Sequence, residues 1–455
     1  MKKNLLYIFA DQWGAHSIGY NDPQIHTPNM NAFAEECFQF TNAISTYPLC
    51  SPHRASLITG KYPYCCGFWT NCKIGLDEVV MLKPQEITIT DVLHNAGYEN
   101  SYIGKWHLDG SDLNFYPTPD SRCKNWDAFT PEGERRHHID YWYSYGAMDD
   151  HLHPHYWTGN NPEMIVHDKW SPEVETDVAL DYLENRMDKS KPFNMMISWN
   201  PPHPPYDQVP DKYYNKVKDR ELVFRDNVPE EWKKDEKYLT KYKQYIAAIE
   251  GLDENFGRII SYLKEHKLYD DTIIVLSADH GDCMGSHGVY GKNIWYEESI
   301  NIPLMIKCGK VGESDALLAS QDHMPTLLDM LGVEIPDTVQ GKSFAPIING
   351  EAIDEPEEAF LCMYPGMPDL VDSFRLKGYN NKCFGWRGLR TKTHTYVVYN
   401  GTTYGEKQTK TLYNNINDPY QLSPITLSDD ECKKWDKKLK KYLELTNDPF
   451  LIDRN

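Results

Sequence analysis

No stretch of this 455-residue chain approaches the ~20 consecutive apolar residues that a membrane-spanning helix requires, so no membrane partner is expected. Positive charge is scarce. There are 47 Lys and Arg against 67 Asp and Glu, a formal net charge of −20. That balance argues against nucleic acid or an anionic membrane surface as a partner. It leaves an anionic small substrate open, provided a local cationic pocket overrides the global field. No C-x-x-C pair occurs among the 11 cysteines, and Cys65 and Cys66 are adjacent. The set fits neither a zinc knuckle nor a simple disulfide framework, so most of its members read as buried, reduced thiols. Internal repeats and low-complexity linkers are missing too. A cleavage context is also lacking near the start: Leu5–Ala10 runs straight into Asp11-Gln12-Trp13-Gly14, which reads as a first strand rather than a signal peptide. The expectation is a cytoplasmic protein.

What is present is an ordinary globular composition, 40% hydrophobic and 25% charged, in a chain about three times the usual domain length. Aromatics reach 13%, a surplus that serves core packing and stacking on rings such as sugars. Three short apolar runs read as buried parallel strands: Leu5–Ala10, Asn194–Trp199 and Thr272–Ser277. Each leads into polar residues, namely Asp11-Gln12, Asn200-Pro201-Pro202-His203 and Asp279-His280. Between them, Tyr245, Ile246, Ile249, Leu252, Phe256, Ile259, Ile260 and Leu263 follow helical spacing. Thr90–Ala96 reads as a short helix stopped by Gly97, with a strand at Tyr102-Ile103. The alternation predicts an α/β fold, a mostly parallel sheet sandwiched by helices, with ligands beyond the carboxyl ends of its strands. After about residue 355 the pattern changes. Arg390–Tyr399 reads as one strand, Lys410–Tyr413 as another, and a final helix carries Trp435, Leu439, Tyr442 and Leu443. The expected division is a catalytic α/β domain over 1–355 and a smaller C-terminal subdomain, antiparallel sheet plus helix, over 356–455.

The most informative stretch is Pro48-Leu49-Cys50-Ser51-Pro52-His53-Arg54-Ala55-Ser56-Leu57-Ile58-Thr59-Gly60. Pro52 suits a first helical turn and Gly60 its stop, which puts Cys50 at a helix N-terminus, with Arg54 one turn on. The string resembles the sulfatase family motif, C-x-P-x-R followed by A-S-L-x-T-G. The resemblance continues through Gly104-Lys105-Trp106-His107-Leu108, Pro201-Pro202-His203-Pro204-Pro205, and Ser277-Ala278-Asp279-His280-Gly281-Asp282 with Gly285-Ser286-His287-Gly288 and Lys292. It implies an alkaline-phosphatase-like fold and oxidation of Cys50 to formylglycine by a maturation enzyme. It also implies a divalent metal held by Asp11, Gln12, position 50, Asp279 and His280. On residue chemistry alone, two Asp, one Gln and one His suit a hard cation better than zinc. Ca²⁺ is the first candidate, with Mg²⁺ and Mn²⁺ as alternatives, because many relatives carry Asp and Asn where this chain has Gln12 and His280.

By the same resemblance Arg54, Lys105, His203 and Lys292 surround a sulfate, whose transfer spreads negative charge over its oxygens. Position 50 attacks sulfur, Lys292 or His203 protonates the leaving alcohol, and His107 takes the proton that restores the aldehyde. His287 braces a metal ligand or Lys292. The segment holding Arg135, Arg136, Tyr141-Trp142-Tyr143 and His151–Trp157 is rich in Arg, His and aromatics, and its two readings are a substrate wall around a sugar or a packed loop. The expected activity is hydrolysis of a sulfate ester on a small sulfated mono- or oligosaccharide, exo-acting because a long polysulfated chain would be repelled outside the pocket. The alternatives are a phosphodiester or phosphonate monoester hydrolase of the same superfamily, and a non-catalytic homologue that binds sulfated sugars.

Overall fold

A computed structural model describes residues 2–73, 76, 78–110, 127 and 129–453. The strands in chain order are β1 (Asn4–Ala10), β2 (Phe38–Ile44), β3 (Glu99–Lys105), β4 (Tyr141–Tyr145), β5 (His155–Thr158), β6 (Ile165–Val166), β7 (Phe193–Trp199), β8 (Thr272–Ala278), β9 (Asn301–Ile302), β10 (Leu304–Lys307), β11 (Gly312–Ala319), β12 (Glu358–Met363), β13 (Trp386–Thr391), β14 (His394–Tyr399) and β15 (Thr409–Asn414). The first eleven form one sheet in the order β11-β2-β10-β8-β1-β7-β3-β4-β5-β6, with β9 paired to β2. Its centre, β8-β1-β7-β3-β4, is parallel, while β10 and β5 run against their neighbours. The parallel strands are apolar on both faces because helices cover them. Every residue of β7 and β8 is buried, and so is all of β1 after Asn4.

The long helix Glu236–Glu265 packs beside Ser171–Asp181 and Asp211–Val217. It buries the spaced residues read from the sequence, Ile260 only partly. The predicted short helix runs over Ile89–Asn95, where Thr88 and Asp91 close a reciprocal cap. Gly104, the penultimate residue of β3, has φ +97, and a Cβ there would sit 2.2 Å from the Ser198 carbonyl oxygen. Only glycine lets β3 lie this close to β7.

The smaller sheet, β12-β13-β14-β15, is antiparallel throughout. Arg390–Tyr399 is therefore two strands rather than one. β13 ends at Thr391 and β14 starts at His394, because the Thr391 hydroxyl accepts the N–H groups of Thr393 and His394 and closes a turn. The helix Asp429–Thr446 lies on this sheet, with Trp435 stacked on Tyr396 and Tyr442 on Phe360. Arg390 binds Glu297 at 2.7 Å, the Trp386 indole donates to the Asn293 carbonyl at 3.0 Å, and the Cys362 N–H donates to the Thr46 carbonyl. The small sheet thus steadies the loop that carries Lys292.

Glu175 makes the fold pH-sensitive. It is fully buried beside Gly104, and its Oε1 accepts the Tyr156 hydroxyl at 3.0 Å while Oε2 has no partner. Burial pushes its carboxyl well above the usual range. A carboxyl raised in the folded state binds its proton more tightly than in the unfolded chain, so stability is expected to fall as pH rises above the unfolded carboxylate value of about 4.3. Glu175→Gln is expected to remove this loss, so that the variant gains on wild type as pH rises from 5 to 8, by at most about 1.4 kcal/mol per pH unit. Thermal melts across pH 5–8 check it, and parallel pH curves for the two proteins would refute it.

Candidate active site

Four adjacent strands deliver the site. In register, Ala10 of β1 pairs with Ala278 of β8 and Trp199 of β7, and Gly104 of β3 pairs with Ser198. The next residues, Asp11, Asp279, Asn200 and Lys105, therefore emerge together at the carboxyl edge of the sheet. Cys50 is brought there by the helix Cys50–Thr59, which Gly60 ends in a left-handed cap at φ +66. Cys50 Sγ is buried at this edge. It lies 3.0 Å from Lys292 Nζ, 3.4 Å from His280 Nε2, 3.6 Å from Asp11 Oδ1 and 4.0 Å from Lys105 Nζ.

The charges are arranged in two tiers. Arg54 lies behind the carboxylates: its Nε donates to Asp279 at 3.1 Å, Nη2 to Asp11 at 3.2 Å, and Nη1 to the Lys105 carbonyl and the Ser198 hydroxyl. It is buried, and its guanidinium lies over the Phe9 ring. Lys105 binds Asp11 at 2.6 Å and Asn200 at 3.0 Å. Burial alone would lower the Lys292 ammonium, but the adjacent Cys50 sulfur and the carboxylates of Asp11 and Asp279 keep it raised. Burial would likewise raise Asp11, yet Lys105 and Lys292 hold it well below the carboxylate range. Asp279 goes the other way, pushed up to about 7 by burial and by the charge of Asp11.

Three histidines are held neutral by burial together with these cations. Lys292 is the main charge acting on His280 and His203, and Lys105 on His107. The His280 Nδ1–H donates to the Gly281 carbonyl at 3.1 Å, which leaves its Nε2 lone pair aimed at Asp279 Oδ1 (3.4 Å) and Asp11 Oδ1 (3.5 Å). Acceptors facing acceptors need a cation between them. The donor atoms of Asp11, Cys50, Asp279 and His280 lie within 4.8 Å of one another. Gln12 supplies a further sign, since its Oε1 is buried without a hydrogen-bond partner. The residues present fit a hard divalent cation.

A sulfatase family model matches residues 3–333, and a second, for the C-terminal part of N-sulphoglucosamine sulphohydrolase, matches 285–448. The chain belongs to the sulfatase family. Among curated relatives, an endo-4-O-sulfatase of Bacteroides thetaiotaomicron is 33% identical, covering 99% of this chain and 94% of that protein. An ulvan-active sulfatase of Formosa agariphila is 30% identical, covering 96% and 81%. A solved structure from work on glycosaminoglycan metabolism by Bacteroides thetaiotaomicron superposes with a TM-score of 0.85 at 33% identity, covering 99% of this chain and 97% of that one. The fold is the alkaline-phosphatase-like α/β fold, and the protein is a sulfuric ester hydrolase.

Several residues fall elsewhere in the sulfatase than the sequence suggested. Arg54 donates to Asp279, Asp11, the Lys105 carbonyl and the Ser198 hydroxyl, so the structure places it behind the carboxylates. Arg136 is buried, donates to the Thr130 carbonyl and lies over Trp142, so it packs rather than binds sugar. Arg135 pairs with Asp109, two residues beyond His107. His287 stacks on Tyr296, and its Nε2 accepts from Asn227 Nδ2 at 3.1 Å. The Arg- and aromatic-rich segment lies largely in β4 and β5 of the main sheet, and the His151 Nε2–H donates to the His203 carbonyl at 2.9 Å. The residues that sequence reasoning missed as site members are Asn200, Ser198, Asp149 (3.6 Å from His203) and Asp282. Asn200 had a local signal, as the first polar residue after a buried strand, and Asp282 lay in the quoted Ser277–Asp282 segment with no role read for it.

Proposed function

We propose that this sulfatase removes a sulfate ester from a small sulfated sugar, with position 50 as the nucleophile after conversion of Cys50 to formylglycine by a maturation enzyme. The observation that carries the reading is the convergence on position 50 of Lys292, His280, Asp11 and Lys105 from four separate segments of chain. A hydrated aldehyde there supplies a hydroxyl nucleophile that a thiol lacks. A bound cation, Ca²⁺ before Mg²⁺ or Mn²⁺, supplies charge against the sulfate oxygens, held by Asp11, Gln12, Asp279 and His280 with position 50.

The chain's own groups do the rest. Lys105 and Lys292 hold positive charge beside the reacting atom, where negative charge develops. Arg54 fixes the two carboxylates. The His203 Nδ1–H donates to the Pro204 carbonyl at 2.7 Å, which leaves Nε2 of the neutral ring as an acceptor, so the Lys292 ammonium is the group that holds a proton for the departing alcohol. The buried His107 Nδ1 has no partner and sits on the segment next to Lys105, ready to accept the proton that regenerates position 50.

The substrate class is supported by the names of the relatives, an ulvan-active sulfatase and an N-acetylglucosamine-6-O-sulfatase among them, and by the net charge of −20. Sulfated mono- and disaccharides, the parent polymer at equal sulfate concentration, and an aryl phosphodiester are the assay panel. Matured protein is expected to release sulfate from a disaccharide faster than from polymer, with phosphodiester turnover lower by about 10²-fold or more. Faster release from polymer would make the action endo, the mode in the name of the Bacteroides relative. Dominant phosphodiester turnover would overturn the sulfatase substrate.

A further inference from the structure

Asp282 lies two residues past His280, and its carboxylate is fully buried. Oδ1 accepts the backbone N–H groups of Met284 and Gly291, each at 2.8 Å. Oδ2 accepts the Tyr206 hydroxyl and Gln12 Nε2, each at 2.6 Å. These four donors fill the acceptor positions of an ionised carboxylate, which has no hydrogen to offer. An amide has a donating end and an accepting end, and only the donating end can face such a group. The Gln12 amide is thereby oriented with Nε2 on Asp282 and Oε1 away from it, where Oε1 is buried and unpartnered. The same carboxylate holds Gly291, next to Lys292, and Tyr206, three residues after His203.

We propose that Asp282 is a positioning residue for the cation site. By accepting from Gln12 Nε2 it keeps Oε1 available as a metal ligand, and through the Gly291 N–H it ties that ligand to the loop carrying Lys292. The proposal rests on the reading of Gln12 as a ligand given above.

The test is the Ca²⁺ affinity of the full-length chain, stripped by chelator and titrated by calorimetry, with melting curves to establish folding. In Asp282→Asn the two backbone N–H groups can only donate, so the new Oδ1 stays with them and Nδ2 turns to Gln12. The Gln12 amide must then flip, offering hydrogens where the cation would sit. Affinity is expected to fall by about 10–100-fold. Adding Gln12→Glu restores it to within about threefold of wild type, because one carboxylate oxygen can accept from Asn Nδ2 while the other serves the cation. Tyr206→Phe, which keeps the carboxylate, changes affinity by less than about threefold. Unchanged affinity in Asp282→Asn, no recovery in the double variant, or a tenfold loss in Tyr206→Phe each overturns the proposal. Should Asp282→Asn fail to fold, the double variant and Tyr206→Phe still decide it. A wild-type chain that binds no Ca²⁺ would overturn the cation reading itself and this inference with it.

Discussion

Replacing Cys50 with alanine is expected to lower sulfate-ester turnover by on the order of 10⁵-fold, with KM changed by less than about threefold. The split follows from geometry. Sγ is the atom that Lys292, His280, Asp11 and Lys105 surround, so deleting it removes the reacting group. The two ammonium groups that attract a sulfate stay in place, one held by Asp11 and Asn200, the other on a loop fastened to the small sheet. The melting temperature should move little, since the helix Cys50–Thr59 keeps its backbone and its Gly60 cap. Peptide mass spectrometry of active protein should find an aldehyde at position 50. Full activity with an intact thiol there, or a KM-only effect in Cys50→Ala, would end the covalent mechanism.

Exhaustive chelation is the second large effect, expected to reduce kcat by about 10³-fold or more and to be reversed by Ca²⁺. Without a cation, the site sets Asp11 and Asp279 against one another and against the His280 lone pair, with Arg54 as their shared counter-charge. Binding should therefore stabilise the fold as well, by about 2.7 kcal/mol when Ca²⁺ is present at a hundred times its Kd. Asp279→Asn removes one ligand charge and is expected to weaken both the activity and the Ca²⁺-dependent rise in melting temperature. Activity and melting that ignore chelation and this substitution would show that the cluster is held by Arg54, Lys105 and Lys292 alone.

The features legible in the sequence share one property, that their physics is local. Leu5–Ala10, Asn194–Trp199 and Thr272–Ser277 read as buried strands because a strand covered on both faces must be apolar at every position. Cys50 could be placed at a helix start because Pro52 and Gly60 bracket a helix whatever surrounds it. Arg390–Tyr399 misled for the same reason. Its residues all suit a strand, and the turn at Lys392-Thr393 depends on a Thr391 side chain bonding nearby N–H groups rather than on any break in the pattern.

By itself the sequence determined the α/β architecture, the strand ends at which chemistry gathers, and the sulfatase motif centred on Cys50. Tertiary structure alone decided what each charged side chain does there. Arg54 meets Asp279 across 225 residues of chain, and Asp282 meets Gln12 across 270, so neither pairing leaves a trace in the spacing of either residue. Arg135 and Arg136 are neighbours of one type, yet one pairs with Asp109 beside the His107 segment while the other is buried over Trp142. A guanidinium is committed by whichever carboxylate, carbonyl or ring the fold presents within about 3–5 Å, because its burial is tolerable only when partners replace the lost water. That distance is a property of the packed sheet and its loops, not of the sequence around the arginine.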